Sequence, residues 1–194
     1  ILAPLVAPTN PFGPASLNLM NGFTPPMTPN MFTGESFVMG TDDQGRDLLS
    51  AIIYGLRVSL FVGVMSVMLA MGLGVSLGLT AGYVGGWLDN LIMRIADIQL
   101  TFPSILIAML IFGVLRGIIP PDLRDEMAIF VLITAIGLSE WVPFARTVRA
   151  TTMVEKEKEY VQAARLIGLG RAQIMWRHIL PNVLGPVLVI ATIT

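Results

Sequence analysis

An all-α fold, a polytopic bundle of membrane-spanning helices, is what this sequence predicts, and three observations lead there. The 194 residues are 54% hydrophobic and only 13% charged, with a mean hydropathy of +0.75, where a soluble domain carries about a quarter charged residues. Leu60 to Val84 contains no charged residue, a stretch long enough to cross a hydrocarbon core of ~30 Å. Within it Ser66, Ala70, Gly74, Gly78 and Gly82 recur at every fourth position, the spacing of a single helix face along which another backbone can pack closely.

The elements follow in order. Ile1 to Ala7 reads as the last turns of a hydrophobic helix. Residues 8 to 40, with Pro8, Pro11, Pro14, Pro25, Pro26 and Pro29, read as an extended loop, because so many prolines and glycines forbid a long helix. Thr41 to Gln44 fits a capping box, with Thr41 as N-cap and Gln44 reaching back. Leu48, Leu49, Ile52, Ile53 and Leu56 follow at helical spacing as an interfacial lead-in. Residues 1–57 thus form a loop and lead-in helix, and residues 58–194 a transmembrane domain with spans near 58–84, 98–115, 127–144 and 183–194. The last of these is cut short, since a span needs about 20 residues, and the chain reads as an internal piece of a larger membrane protein.

Two features of the spans bear on function. Arg94 and Asp97, three residues apart before the second span, can pair on one face. Glu140 lies inside the third span near its far end. An ionisable group at such depth is either an intramembrane functional group or a side chain that reaches the interface or pairs with Arg146. Residues 145–182 hold Arg146, Arg149, Lys156, Lys158, Arg165, Arg171 and Arg177, which makes this loop cytoplasmic by the positive-inside rule. Residues 85–97 then lie inside, and residues 8–57 and 116–126 outside. That orientation rests on the one loop, because Arg46, Arg57, Arg116 and Arg124 fall outside.

Inside the basic loop, alternating Glu155 to Glu159 begin a solvated helix. Tyr160, Ala163, Ala164 and Ile167 make a narrow apolar stripe at helical spacing. Gly168 and Gly170 end the helix in a left-handed turn. A second helix is expected from Arg171 to Ile179, stopping before Pro181. A stripe this short cannot fold alone and suits a helix held in a partner's groove.

Several chemistries are excluded. There is no cysteine, and His178 is the one histidine, so neither a thiolate nor a Cys- or His-rich metal site exists. No Gly-rich run ends in Lys-Ser or Lys-Thr, and no Ser-His-Asp or paired-carboxylate arrangement is visible. The chain is therefore expected to be no enzyme and to bind no cofactor, metal or nucleic acid. A secondary transporter or channel needs ionisable groups or broken helices at the midplane, and Glu140 is the single carboxylate inside a span. A structural membrane subunit remains the other alternative.

Ala163-Ala164, Gly168 and Leu180-Pro181 together resemble the signature loop of ABC importer permeases. Gly40 to Asp47 with Gly55, Arg57 and Ser59-Leu60 is similar to the dipeptide/oligopeptide/nickel branch of that family. So are Met93 to Asp97 with Phe102-Pro103-Ser104, and Arg177 to Asn182. The resemblance runs from about residue 36 to the end. It implies a type I importer permease of six helices, here without most of the first, the end of the fifth and the sixth, in a bacterial inner membrane. It further implies pairing with a second homologous permease subunit, two cytoplasmic ATPase subunits that use ATP and Mg, an extracytoplasmic substrate-binding protein, and a peptide as cargo. The helix at 159–168 would be the coupling helix, with Glu159, Tyr160, Gln162, Ala163, Ala164, Ile167, Gly168 and Gly170 as the docking residues. Gln162 stands where the family's loop usually has glutamate, and His178 where the general pattern has isoleucine.

Overall fold

The computed structural model describes residues 7, 10, 13, 19–30, 34 and 36–193. The helical turns expected at residues 1–6, and Pro8, Pro11 and Pro14, lie outside the described residues. The chain divides into two compact units, Ile1–Phe61 and Val62–Thr194.

In the first unit a 3-10 turn at Leu19–Asn21 leads to a two-residue antiparallel ribbon, β1 (Thr28–Pro29) against β2 (Ser36–Phe37). The following loop is organised by Asp42. Its Oδ1 accepts the amides of Gln44 and Arg46, both at 2.9 Å, and its Oδ2 accepts the Arg46 Nε at 2.8 Å. Burial opposes ionisation of Asp42, but the Arg46 and Gln44 hydrogen bonds outweigh it and hold the carboxyl below its usual range.

Helix α1 (Leu48–Val84) then starts from a different cap than the capping box expected at Thr41. The buried Asp47 accepts the Ser50 amide at 2.9 Å and also the Ser50 hydroxyl. Thr41 is occupied elsewhere, donating to the Asn21 carbonyl and accepting the Thr24 amide at 2.8 Å. Aspartate is a strong N-cap, and because the helix begins at Leu48 the cap position falls on Asp47, six residues beyond Thr41. Asp47→Ala is accordingly expected to cost about 1 kcal/mol and to speed amide exchange in the first turn of α1. Gln44→Ala should leave that exchange unchanged, and the opposite ranking would restore the capping box.

α1 has 37 residues without a break, so the lead-in and the first span are one helix. At 1.5 Å per residue it is ~55 Å long, well over the ~30 Å of a hydrocarbon core. In the second unit it is followed by α2 (Gly86–Leu100) and α3 (Ser104–Ile118), which turn 98° from one another. The straight span expected from Ile98 is thus broken at Thr101–Pro103 and begins at Ser104, because proline cannot continue the hydrogen-bond ladder and biases Phe102 away from the helical region. α3 has no buried residue. Ile105, Leu106, Met109, Leu110, Val114 and Ile118 are all more than half exposed, as befits a helix whose surroundings are apolar rather than aqueous.

α4 (Arg124–Ser139) packs back against α3 and continues into α5 (Trp141–Glu155) through a 42° bend at Glu140. The bend has an identifiable origin. Pro143 has no N–H to offer the Ser139 carbonyl. That carbonyl instead accepts the Gln99 side-chain amide at 2.8 Å, and Gln99 Oε1 in turn accepts the Trp141 indole N–H at 2.8 Å. The helix therefore runs to Glu155, well into what was expected to be loop.

α6 (Glu159–Leu166) is short, and α7 (Arg171–Ile193) follows as one 23-residue helix. The expected stop before Pro181 does not occur. A wider π-type turn over Ile174–Ile179 directly precedes the proline; such a turn loosens the ladder where proline would otherwise break it. The 145–182 loop expected from the sequence shrinks to residues 156–170.

One core joins α1, α5, α6 and α7 through Leu79, Phe144, Val148, Val161, Ile174, Ile179, Val183 and Val187. A second, around Trp141, Val142 and Ala145, adds α2 through Ile92 and Ala96. The small-residue stripe lies in these cores. A Cβ on Gly74, Gly78 or Gly82 would come within 2.4 to 2.7 Å of α5 atoms, Ala70 is fully buried, and Ser66 Oγ donates to the Ile133 carbonyl at 3.4 Å. Asp97 pairs with Arg146, not with Arg94, and Arg149 pairs with Asp89 at 2.7 Å.

Candidate docking site

α6 is held onto the bundle by one face and leaves the other bare. Val161 is fully buried and Ala164 is 4% exposed, both in the α1/α5/α7 core. Glu159, Gln162, Ala163, Leu166 and Ile167 are exposed. Their spacing of i, i+3, i+4, i+7 and i+8 places them along one side of the helix. Leu166 is 88% and Ile167 76% exposed, the most conspicuous unpartnered aliphatic pair of this end of the molecule.

The structure therefore separates residues that the sequence grouped. Ala163 and Ile167 of the apolar stripe point outward, while Ala164 is part of the seat. Tyr160 lies at the flank. It donates to Glu155 Oε2 at 2.7 Å and accepts the Asn182 amide at 3.0 Å, which ties α6 to α7. Burial and then the Glu155 carboxylate push the Tyr160 phenol above its usual pKa, against the opposing effect of Asn182, so it stays a neutral donor. Leu166 was not singled out from the sequence, although it lies three residues after Ala163 and four after Gln162. Val161 was missed because an isolated apolar residue in a polar helix does not reveal which way it faces.

Gln162 Nε2 donates to the Glu157 carbonyl at 2.9 Å. A glutamate there could accept but not donate, so the amide keeps a bond within the loop that a carboxylate would lose. Lys156 Nζ donates to the Gly82 carbonyl at 3.0 Å. This places a cation at the C-terminal end of α1, where the helix dipole favours it, and fastens the loop to that helix.

The end of α6 is a complete Schellman turn. Gly168 has φ +83°, its amide bonds the Arg165 carbonyl, and the Leu169 amide bonds the Ala164 carbonyl, both at 3.1 Å. Glycine is needed at this left-handed position, where an L side chain costs ~1–2 kcal/mol. Gly170 is exposed in extended conformation and enters α7. The result is an eight-residue helix with a fixed stop, a buried seat and a free apolar face.

Glu140 lies apart from this face, at the α4–α5 bend. It lines a cavity of about 360 Å³ with Gly63, Ser66, Val67 and Ile136. Among the described residues its carboxylate has neither a hydrogen bond nor an ion pair, and Arg146 is engaged by Asp97.

Comparison with known proteins places this geometry in context. Residues 74–194 match the family described as binding-protein-dependent transport system inner membrane component. The dipeptide transport system permease protein DppC of Haemophilus influenzae is 37% identical over 97% of this chain and 59% of its own length. The oligopeptide transport system permease protein OppC of Escherichia coli is 41% identical over 85% of this chain and 51% of its own. OppC of Bacillus subtilis is 34% identical over 93% of this chain and 53% of its own. The chain spans somewhat over half the length of these curated relatives.

Proposed function

The chain belongs to the family of binding-protein-dependent transport inner membrane components, and from that premise we propose that it is the permease subunit of an ATP-driven peptide importer. It forms half of a translocation pathway with a second, homologous permease in a bacterial inner membrane. Two cytoplasmic ATPase subunits dock on α6 and its flanks, and ATP and Mg are used there, not on this chain. A substrate-binding protein delivers cargo from the other side.

The observation that carries this reading is the bare face of α6. Val161 and Ala164 pack α6 into the core it shares with α1, α5 and α7, so a push on Leu166 and Ile167 would be passed to the spans. ATP-driven closure of the partners would shift a bundle between two packings in this way. The bends at Thr101–Pro103 and Glu140 are sites where such a change can be absorbed. A peptide cargo is supported by the relatives named as dipeptide and oligopeptide permeases.

In this reading Glu140 belongs to the pathway side, with Ser66 beside it. The test is uptake of a labelled peptide by proteoliposomes holding the complete transporter. Uptake should require ATP, and Glu140→Gln should lower it several-fold with assembly unchanged. ATP-independent uptake by the full-length chain alone would replace the importer with a secondary transporter, and full activity of the Glu140 variant would remove that residue from the pathway.

A further inference from the structure

A second cavity, of about 420 Å³, is lined by Tyr83, Val84, Arg165, Leu169, Arg171 and Ile174. Two arginines share it and no lining residue is acidic. The ion pairs among the described residues engage Arg46, Arg146, Arg149 and Lys158, which leaves Arg165 and Arg171 without a carboxylate among those residues. Both are exposed, and Arg165 lies over the Tyr83 ring, 5.5 Å from its centroid. Like charges that share one space repel unless an anion joins them, and the guanidinium forks match the two oxygens of a carboxylate.

The helix that starts here adds to the demand for negative charge. α7 opens at Arg171, directly after Gly170, with no side-chain cap and no acidic residue in its first turn. The N-terminal end of a helix favours an anion and disfavours a cation. Two cations therefore stand at a helix entrance that carries no carboxylate of its own.

The surroundings of the cavity identify the source of the missing anion. Arg165 directly precedes Leu166 and Ile167, and Leu169 follows two residues after them, so the cavity borders the bare aliphatic pair of α6. A partner that covers this pair closes over the cavity as well, and its own side chains are then the ones within reach. An exposed ion pair contributes little, but one shielded inside an interface contributes more and fixes register.

We infer that Arg165 and Arg171 receive an aspartate or glutamate side chain of the ATP-hydrolysing partner in this cavity, beside the apolar contact made by Leu166 and Ile167. The inference rests on the docking proposed for α6 and adds to it a charge contact that sets how the partner sits.

The experiment measures the affinity of the full-length subunit, purified in detergent, for the ATP-hydrolysing subunit recovered with it, at low and at high KCl. Wild-type binding should weaken as salt rises. Arg165→Gln/Arg171→Gln should bind about tenfold more weakly at low salt and lose most of the salt dependence, with an unchanged Tm. Arg165→Lys/Arg171→Lys, which keeps both charges, should retain the salt dependence. If the glutamine double variant does not fold, Arg171→Gln alone, which leaves the Arg165–Tyr83 contact in place, should lose about half of the salt dependence. Unchanged affinity or unchanged salt dependence in the glutamine variants overturns the inference and leaves the arginines to another anion, such as the headgroup of a membrane lipid. The apolar docking on Leu166 and Ile167 would survive that result. Failure to recover any ATP-hydrolysing subunit with the wild-type chain would instead end the docking reading, and this inference with it.

Discussion

In the docking proposed for α6, a full-length subunit carrying Leu166→Asp and Ile167→Asp is expected to fail to recover an ATP-hydrolysing partner while keeping its own fold. The two side chains are 88% and 76% exposed, so replacing them removes little that holds the bundle together. Against a partner's groove they would be the apolar anchors, and truncated anchors of this kind cost ~1–4 kcal/mol each. A loss of at least tenfold in affinity, about 1.4 kcal/mol, is the minimum expected, and co-purification from solubilised membranes should fail. Ala164→Arg would fail too, but for another reason. Ala164 is 4% exposed and belongs to the core, so an arginine there unseats α6. The two cases separate by Tm, which should fall for Ala164→Arg and stay within about a degree for the exposed pair. Unchanged recovery of the partner with the exposed pair would end the docking assignment.

The second large effect concerns how closely α1 and α5 approach. In Gly78→Val the new Cβ would lie 2.4 Å from the Ala145 carbonyl oxygen and 2.9 Å from the Val148 Cβ. The first of these is backbone, so the helices themselves must separate. Overpacking of a filled core costs 1–3 kcal/mol, and a backbone clash at this depth should reach about 3 kcal/mol. Gly72 is the control on the same helix, because nothing lies within 4 Å of a Cβ there. Gly72→Val should be neutral or slightly stabilising, since valine is the better helix former. Denaturation of the full-length subunit in detergent measures both, and equal losses would mean that the stripe is not a packing seam.

Much of this was legible in the sequence. An uncharged run from Leu60 to Val84 can only be satisfied as a helix in an apolar surrounding, because every backbone group must then bond within the segment. The four-residue recurrence of Ser66 to Gly82 marks a close helix contact without saying with which helix. Gly168 marks a left-handed stop because other residues are strained there. Ala163-Ala164 to Leu180-Pro181, taken with the order of the other motifs, was enough to suggest the family.

Other features were decided in three dimensions. Proline signals a break in the ladder but not how the freed carbonyl is satisfied. At Pro143 the answer is a bend with Gln99 bridging to Ser139, and at Pro181 it is a π-type turn with the helix running on. Asp47 rather than Thr41 is the cap because the helix begins at Leu48, and Thr41 is bonded instead to Asn21 and Thr24. Asp97 found Arg146 rather than Arg94 because the partner came from another helix.

The same logic governs α6. Sequence marked a short helix ahead of a glycine stop at Gly168, with too little apolar surface to stand alone, and the structure bounds it at Glu159–Leu166. Which face is seat and which is free depended on the positions of α1, α5 and α7. Those neighbours claimed Val161 and Ala164 and left Leu166 and Ile167 outside. Local periodicity defines a helix's faces, but only the helices packed around it decide which face remains for a partner.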